Sequence, residues 1–155
     1  MVSLRSHALV ALTLLATVSG DWFTKAVVRR TMDPGESHWL INNQVGLEYV
    51  RNRRFAFNLG PDSRFGIALV AVALGLIVIA LWTGQFGHGR LIDLASGLIL
   101  GGAIGNLIDR LGDNSVVDFA AFSRFPRFNG ADAALTVGVL IAAFGQFGVS
   151  SEPHD

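Results

Sequence analysis

The sequence has no cysteine, so the protein can form neither a disulfide nor a metal site built from thiolates. Its four histidines (His7, His38, His88 and His154) lack the spacing of a metal-binding motif, and we expect neither a metal nor a cofactor. Only 15% of the residues are charged, against about 25% in soluble domains. The net charge is zero, which gives no indication of a nucleic-acid partner.

Long apolar runs dominate what is present. Hydrophobic residues make up 51% of the 155 residues, and the mean hydropathy is +0.47. Four runs, at residues 8–28, 65–84, 92–108 and 131–149, approach the length of about 20 residues that a helix needs to cross a bilayer. The sequence therefore predicts an all-α membrane protein with four transmembrane helices, forming a single domain over residues 1–155.

The first apolar run has an alternative interpretation. Residues 1–20 combine a short basic start, an apolar stretch and small residues, as a secretory signal peptide does. The run continues through Trp22 and Phe23 to Val28, which favours a span that is retained in the protein.

The connections between the predicted spans place the polar residues. The connection at 29–64 contains HWLINNQVGLEYVRNRRFAFNL, where apolar and polar residues alternate, and this predicts short strands at the membrane surface. The connection at 109–130 is polar. Four spans put both connections on one side of the membrane. Nine polar residues then collect on one face: Asp21, Lys25, Asn52, Asn106, Asp109, Arg110, Asp118, Asn129 and Asp132.

The distribution of basic residues indicates on which side of the membrane this polar face lies. Only Arg5 and Arg90 lie on the opposite side of the predicted topology. Read literally, the positive-inside rule places the polar face in the cytoplasm.

Helical spacing groups several of these polar residues. Asp21 and Lys25 are four residues apart and share a helix face, either as a neutralising ion pair or as part of a functional site. Asn106, Asp109 and Arg110 also share a face, as a polar cap of the helix end or as part of the same site.

A second spacing concerns small residues in the third apolar run. Gly97, Gly101 and Gly105 recur every four residues and form a stripe that permits close helix packing. The sequence leaves open whether the stripe packs within the chain or between two copies.

Asp118 and Asp132 stand among apolar residues with no basic neighbour in sequence. Taken singly, Asp132 could be the N-cap of the last helix and Asp118 a residue of a turn. Taken as a pair about 3 Å apart, they could not both ionise readily and would share one proton. Such a pair can activate water and protonate a leaving amine, which is the chemistry of aspartic proteases.

Five short blocks occur in order along the chain: DWFTK, NRRFAF, GNLIDR, VVDF and FNGAD. In this order, and among four apolar runs, they resemble the lipoprotein signal peptidases, the type II signal peptidases of bacteria. The resemblance extends from Asp21 to Asp132, nearly the whole chain.

This resemblance implies a multi-pass aspartic endopeptidase of the bacterial inner membrane. Its site would face the periplasm or cell exterior, against the literal charge rule. The connections at 29–64 and 109–130 would be periplasmic, with a small β-rich surface subdomain in the first. Its partners would be membrane lipid and prolipoproteins carrying a diacylglyceryl cysteine, cut just before that cysteine. A cyclic peptide inhibitor of the globomycin type would occupy the cleft.

The resemblance also implies roles for individual residues. The catalytic aspartates of the family fall on Asp118 and Asp132. The residues that support the site or bind substrate fall on Asp21, Lys25, Asn52, Asn106, Asp109, Arg110 and Asn129. One departure is Arg54, which stands where the family usually has glycine in the first-loop motif.

Three alternatives belong to other functional classes. A small transporter or channel would also carry acids on membrane helices, though more naturally at mid-span and in repeated halves. A serine–lysine protease could use Lys25, the one lysine of the chain, with Ser19. A membrane scaffold would not depend on Asp118 and Asp132.

Overall fold

A computed structural model describes residues 4–53, 72, 75–80, 83 and 89–147. Within these residues lie three long helices, α1 (Leu4–Thr31), α2 (Arg90–Asp113) and α3 (Gly130–Phe147). Residues 75–80 are also helical and belong to the predicted span at 65–84. The rest of that span, together with Arg54, falls outside the described residues.

The three long helices coincide with the other predicted spans. Helices α1 and α2 extend beyond them at both ends, and α3 begins one residue earlier than predicted and is described as far as Phe147. Within the described residues, α2 is the helix both long and apolar enough to cross a bilayer, with a hydropathy of 1.7 in its best window. A shorter apolar helix covers Gly130–Gly145. The count of four spans and the single domain stay predictions.

Glycines bring α2 close to α1. A Cβ atom placed on Gly97 would lie 2.5 Å from Cβ of Thr13, and one placed on Gly101 would lie 2.7 Å from Cβ of Thr17. Both distances are far below van der Waals contact. The glycine stripe therefore packs two helices of the same chain, which answers the question that the sequence left open.

This packing makes Gly97→Ala destabilising, although alanine is ordinarily the better helix former. The added methyl group meets Thr13 and the carbonyl of Val10, and overpacking of this kind costs about 1–3 kcal/mol. Gly112→Ala on the same helix is the matched control, because nothing lies within 4 Å of that position. Thermal unfolding in detergent should show a lower midpoint for Gly97→Ala and an unchanged or higher one for Gly112→Ala; equal midpoints would contradict the assignment.

The strands form one antiparallel sheet in the order β1-β2-β3-β4. Strands β1 (Ser37–Ile41) and β2 (Val45–Asn52) come from the first connection, as the alternating pattern predicts. Strands β3 (Val116–Phe122) and β4 (Phe125–Phe128) come from the second. The prediction that confined the sheet to the first connection was wrong, because β3 is buried over its first three residues and shows no alternation.

The sheet rests on the end of α1. Val28 of α1 and Met32, which directly follows α1, form a small buried core with Tyr49 of β2 and Val117 of β3. In the register of β2 and β3, Val50 lies opposite Asp118, and Asn52 lies opposite Val116. Asn52 is therefore the diagonal neighbour of Asp118 on the same face of the sheet.

Candidate active site

The polar face of α1 is centred on Lys25, whose side chain is only 1% exposed. Its ammonium nitrogen lies 2.6 Å from Oδ2 of Asp21, 2.9 Å from Oδ2 of Asp109 and 3.2 Å from Oδ1 of Asn106. Three acceptors thus match the three N–H donors of the ammonium group. The Asp21–Lys25 ion pair expected from their spacing is present, and it is part of a larger buried cluster.

Arg29 completes this cluster. Its guanidinium donates to Oδ1 of Asp109 at 2.7 Å, so the acids Asp21 and Asp109 face the cations Lys25 and Arg29. Balanced pairing is what allows such charges to be buried. Sequence reasoning missed Arg29, although it continues the four-residue spacing of Asp21 and Lys25 along the helix.

Asp109 and Asp21 also accept hydrogen bonds from the backbone of β3 and of α3. Oδ2 of Asp109 accepts from the backbone N–H of Val117 in β3 at 3.3 Å. Oδ1 of Asp21 accepts from the backbone N–H of Ala131 at 2.9 Å, at the start of α3. A Cβ atom at Gly105 would lie 2.8 Å from Oδ2 of Asp21, so the third glycine of the stripe makes room for this carboxylate.

Asn129 and Asp132 build the first turn of α3 reciprocally. Oδ1 of Asn129 accepts from the N–H of Asp132 at 2.9 Å, and Oδ2 of Asp132 lies 3.4 Å from the backbone nitrogen of Asn129. This is the arrangement of a capping box, with aspartate in the place usually held by glutamate or glutamine. Asn129 is therefore the N-cap, and Asp132 lies within the first turn.

Amide side chains connect Asp118 to Asp132. Nδ2 of Asn129 donates to Oδ1 of Asp118 at 2.8 Å and to Oδ1 of Asn106 at 3.1 Å. Nδ2 of Asn106 donates to Oδ1 of Asp132 at 2.7 Å. Nδ2 of Asn52 donates to Oδ2 of Asp118 at 3.0 Å. Both carboxyl groups thus belong to one hydrogen-bonded network carried by β2, β3, α2 and α3.

The two acids differ in their surroundings. Asp118 is 3% exposed, whereas Asp132 is only half-buried. Burial raises the pKa of Asp118 to about 7, and the charge of Asp132 acts in the same direction. The hydrogen bonds from Asn52 and Asn129 and the charge of Lys25 oppose that rise. The site therefore holds one carboxyl group that binds a proton near neutrality beside a second that is more accessible.

Arg110 supplies a further charge. It is buried at the end of α2, and its Nη1 donates to the carbonyl oxygen of Asn106 at 3.2 Å. The carboxyl groups of Asp132 and Asp118 both lie close enough for their negative charge to attract its guanidinium group. When the two acids carry one proton between them, the net charge of Arg110, Asp118 and Asp132 is zero.

The structure brings all nine residues that the sequence placed on one face into a single cluster, at the meeting point of α1, α2, α3 and the sheet. What each residue does in a reaction stays a prediction. Lys25 is held by two carboxylates and Ser19 is exposed, so the arrangement does not offer the free amine that a serine–lysine protease requires.

Comparisons with known proteins identify the family. A family model described as signal peptidase (SPase) II matches residues 13–147. The lipoprotein signal peptidase of Shouchella clausii is 41% identical over 133 residues, covering 84% of this chain and 85% of the relative. That of Halothermothrix orenii is 33% identical over 133 residues, covering 86% and 91%.

Solved structures give the same result for the fold. One chain, described as a bacterial membrane enzyme, superposes with a TM-score of 0.80 at 27% identity, covering 94% of this chain and 92% of that one. A second with the same description has a TM-score of 0.73 at 28% identity. This protein is thus a bacterial membrane enzyme, and the chain belongs to the signal peptidase II family of aspartic proteases.

Proposed function

We propose that this enzyme removes the signal peptide from prolipoproteins that carry a diacylglyceryl group on cysteine, cutting just before that cysteine. The substrate class rests on membership of the family. The observation that carries the catalytic assignment is the pair of carboxyl groups, Asp118 and Asp132, linked through Asn129 and Asn106.

The different surroundings of the two acids support separate roles. Asp118 holds the proton at rest, since burial raises its pKa to about 7. Asp132 is the ionised base: it takes a proton from water as the water oxygen bonds to the scissile carbonyl carbon. Asp118 gives its proton to the carbonyl oxygen, which produces a neutral diol. Asp132 then protonates the leaving amine as the C–N bond breaks, and Asp118 recovers its proton from a diol hydroxyl.

Apolar side chains beside the polar cluster support a lipidated substrate. Trp22, 60% exposed, and Phe23, 63% exposed, directly follow the buried Asp21 on α1. Leu111, 66% exposed, directly follows the buried Arg110 on α2. Acyl chains of the substrate can thus stay against apolar surface while the peptide reaches the carboxyl groups. Asn106 and Arg110 are placed to hold substrate carbonyls or the headgroup region.

The directions of the helices support the four-span topology. The C-terminal ends of α1 and α2 and the N-terminal end of α3 meet at the site. Asn52 also lies at the site, whereas Arg90 begins α2 at its opposite end, and this supports a crossing between these two residues. The predicted span at 65–84 would make that crossing in the inner membrane. We place the site at the periplasmic or outer face, where a globomycin-type cyclic peptide would compete with substrate.

The test is cleavage by the detergent-purified enzyme of a prolipoprotein in two forms, with and without diacylglyceryl on its cysteine. We expect cleavage before the cysteine of the lipidated form, little or none of the unmodified form, and none of either by Asp132→Asn. Equal cleavage of both forms would overturn the substrate class. Ion or solute flux in proteoliposomes without cleavage would favour the transporter alternative.

A further inference from the structure

We infer that Lys25 is a positioning residue for Asp132 and acts through the amide of Asn106. The inference rests on the proposed function, because it assigns Asp132 as the base. Lys25 itself touches neither of the two catalytic acids in the described hydrogen bonds; its contacts reach Asp132 through intervening groups.

The first step concerns the orientation of the Asn106 amide. A lysine ammonium group can only donate hydrogen bonds. Lys25 lies 3.2 Å from Oδ1 of Asn106, and Nδ2 of Asn129 donates to the same oxygen at 3.1 Å. Rotating the amide by 180° would set its NH2 group against both of these donors. The carbonyl side must therefore face Lys25, and the NH2 side is turned toward Asp132.

The second step concerns Asp132. Nδ2 of Asn106 donates to its Oδ1 at 2.7 Å, which fixes the orientation of the carboxyl group. Its Oδ2 has a longer contact, 3.4 Å, with the backbone nitrogen of Asn129. Oδ1 is thus the more closely held oxygen, and Oδ2, with the longer contact, is the oxygen that we assign to take the proton from water.

A second route leads from Lys25 to the same residue through the backbone. Lys25 holds Oδ2 of Asp21 at 2.6 Å, and Oδ1 of Asp21 accepts from the N–H of Ala131. Ala131 directly precedes Asp132 in the first turn of α3. One cation on α1 therefore fixes both the side-chain partner of the base and the helix start that carries it.

The charged groups around the two acids define what a variant must preserve. They are Asp21, Lys25 and Arg29 from α1, and Asp109 and Arg110 from α2. Arg29 and Lys25 both pair with Asp109, but Lys25 alone of these two contacts Asn106 within the described hydrogen bonds. Arg29 therefore offers a matched control for the loss of a buried cation.

The test compares Lys25→Gln with Arg29→Gln in the lipidated-substrate assay. We expect Lys25→Gln to lower kcat by about tenfold or more while KM changes little. The falling limb of its pH profile should move to higher pH, since the charge of Lys25, which lowers the pKa of Asp118, is lost. Arg29→Gln should lower the unfolding midpoint while keeping the wild-type pH profile.

Two double variants, each with an unchanged net charge, keep the test decisive if Lys25→Gln does not fold. Lys25→Gln/Asp109→Asn and Arg29→Gln/Asp109→Asn each remove one acid and one cation, and they differ in which cation remains. A shifted pH profile in the first alone supports the inference, and equal profiles in the two overturn it. If wild type fails to cleave or Asp132→Asn stays active, the proposed function itself falls; unchanged profiles with an inactive Asp132→Asn remove only the role of Lys25.

Discussion

Asp118→Asn and Asp132→Asn are each expected to reduce the rate of cleavage by about a thousandfold or more, within the range that general acid–base catalysis supplies. Asparagine preserves the size of each side chain but can neither accept nor release the transferred proton. The double variant is expected to be no slower than the single ones, because both acids are needed for the same sequence of proton transfers and act as a unit. The measurement is kcat for a diacylated prolipoprotein at saturating substrate.

Asp113→Asn is the matched control for these variants. Asp113 is also an acid near the site, at the end of α2, but its side chain is 48% exposed and pairs with Arg51 at 3.3 Å. Exposed ion pairs of this kind contribute about 0–1 kcal/mol to stability, so we expect wild-type kcat. Substantial cleavage by either single variant, or losses that multiply in the double variant, would contradict the assignment of the two acids to one catalytic unit.

The convergence of the polar residues could be predicted from the sequence because it follows from topology. Apolar runs long enough to span a bilayer give the direction of each helix, and the direction decides which ends meet. This arrangement brings three residues to the same depth on one side of the membrane: Asp21 and Lys25 near the end of the first run, and Asp132 at the start of the last. The structure places them there, with Asp21 contacting Ala131 across 110 positions of sequence.

The sheet could be predicted only in part, because alternation of apolar and polar residues identifies a strand with one solvent-exposed face. Strand β2 alternates and was predicted, whereas the segment VVDFAAF is nearly continuous in apolar residues. Without that strand, Asp118 could be placed in a turn, and its pairing with β2 could not be foreseen. The hydrogen bond from Asn52 to Asp118 depends on the register of β2 and β3, which no local pattern specifies.

The hydrogen bonds within the cluster also could not be predicted from the sequence. Spacing placed Asn129 near Asp132 but left open whether it capped a helix or oriented the acids. In the structure it does both, since its carbonyl oxygen caps the first turn of α3 and its NH2 group reaches Asp118. One asparagine can serve both purposes only because β3 lies beside the start of α3, and that contact is tertiary.

Cleavage is expected to fall as the pH rises through about 7, because Asp118 must hold a proton for the reaction to begin. Its pKa lies well above the ordinary value of 3.8, so the protonated form is present below about pH 7 and is lost above it. Above that point each pH unit removes about nine-tenths of the protonated form, and kcat/KM should be about 100-fold lower at pH 9 than at its maximum.

Asn52→Ala sharpens this prediction. The hydrogen bond from Asn52 lowers the pKa of Asp118, so its removal should move the falling limb to higher pH. Arg51→Ala is the control, since it changes the neighbouring residue of β2, whose side chain is exposed. A limb that stays in place for Asn52→Ala, or a wild-type profile flat from pH 6 to 9, would mean that Asp118 is not the proton-holding acid. The roles of the two aspartates would then have to be exchanged, with the more accessible Asp132 carrying the proton.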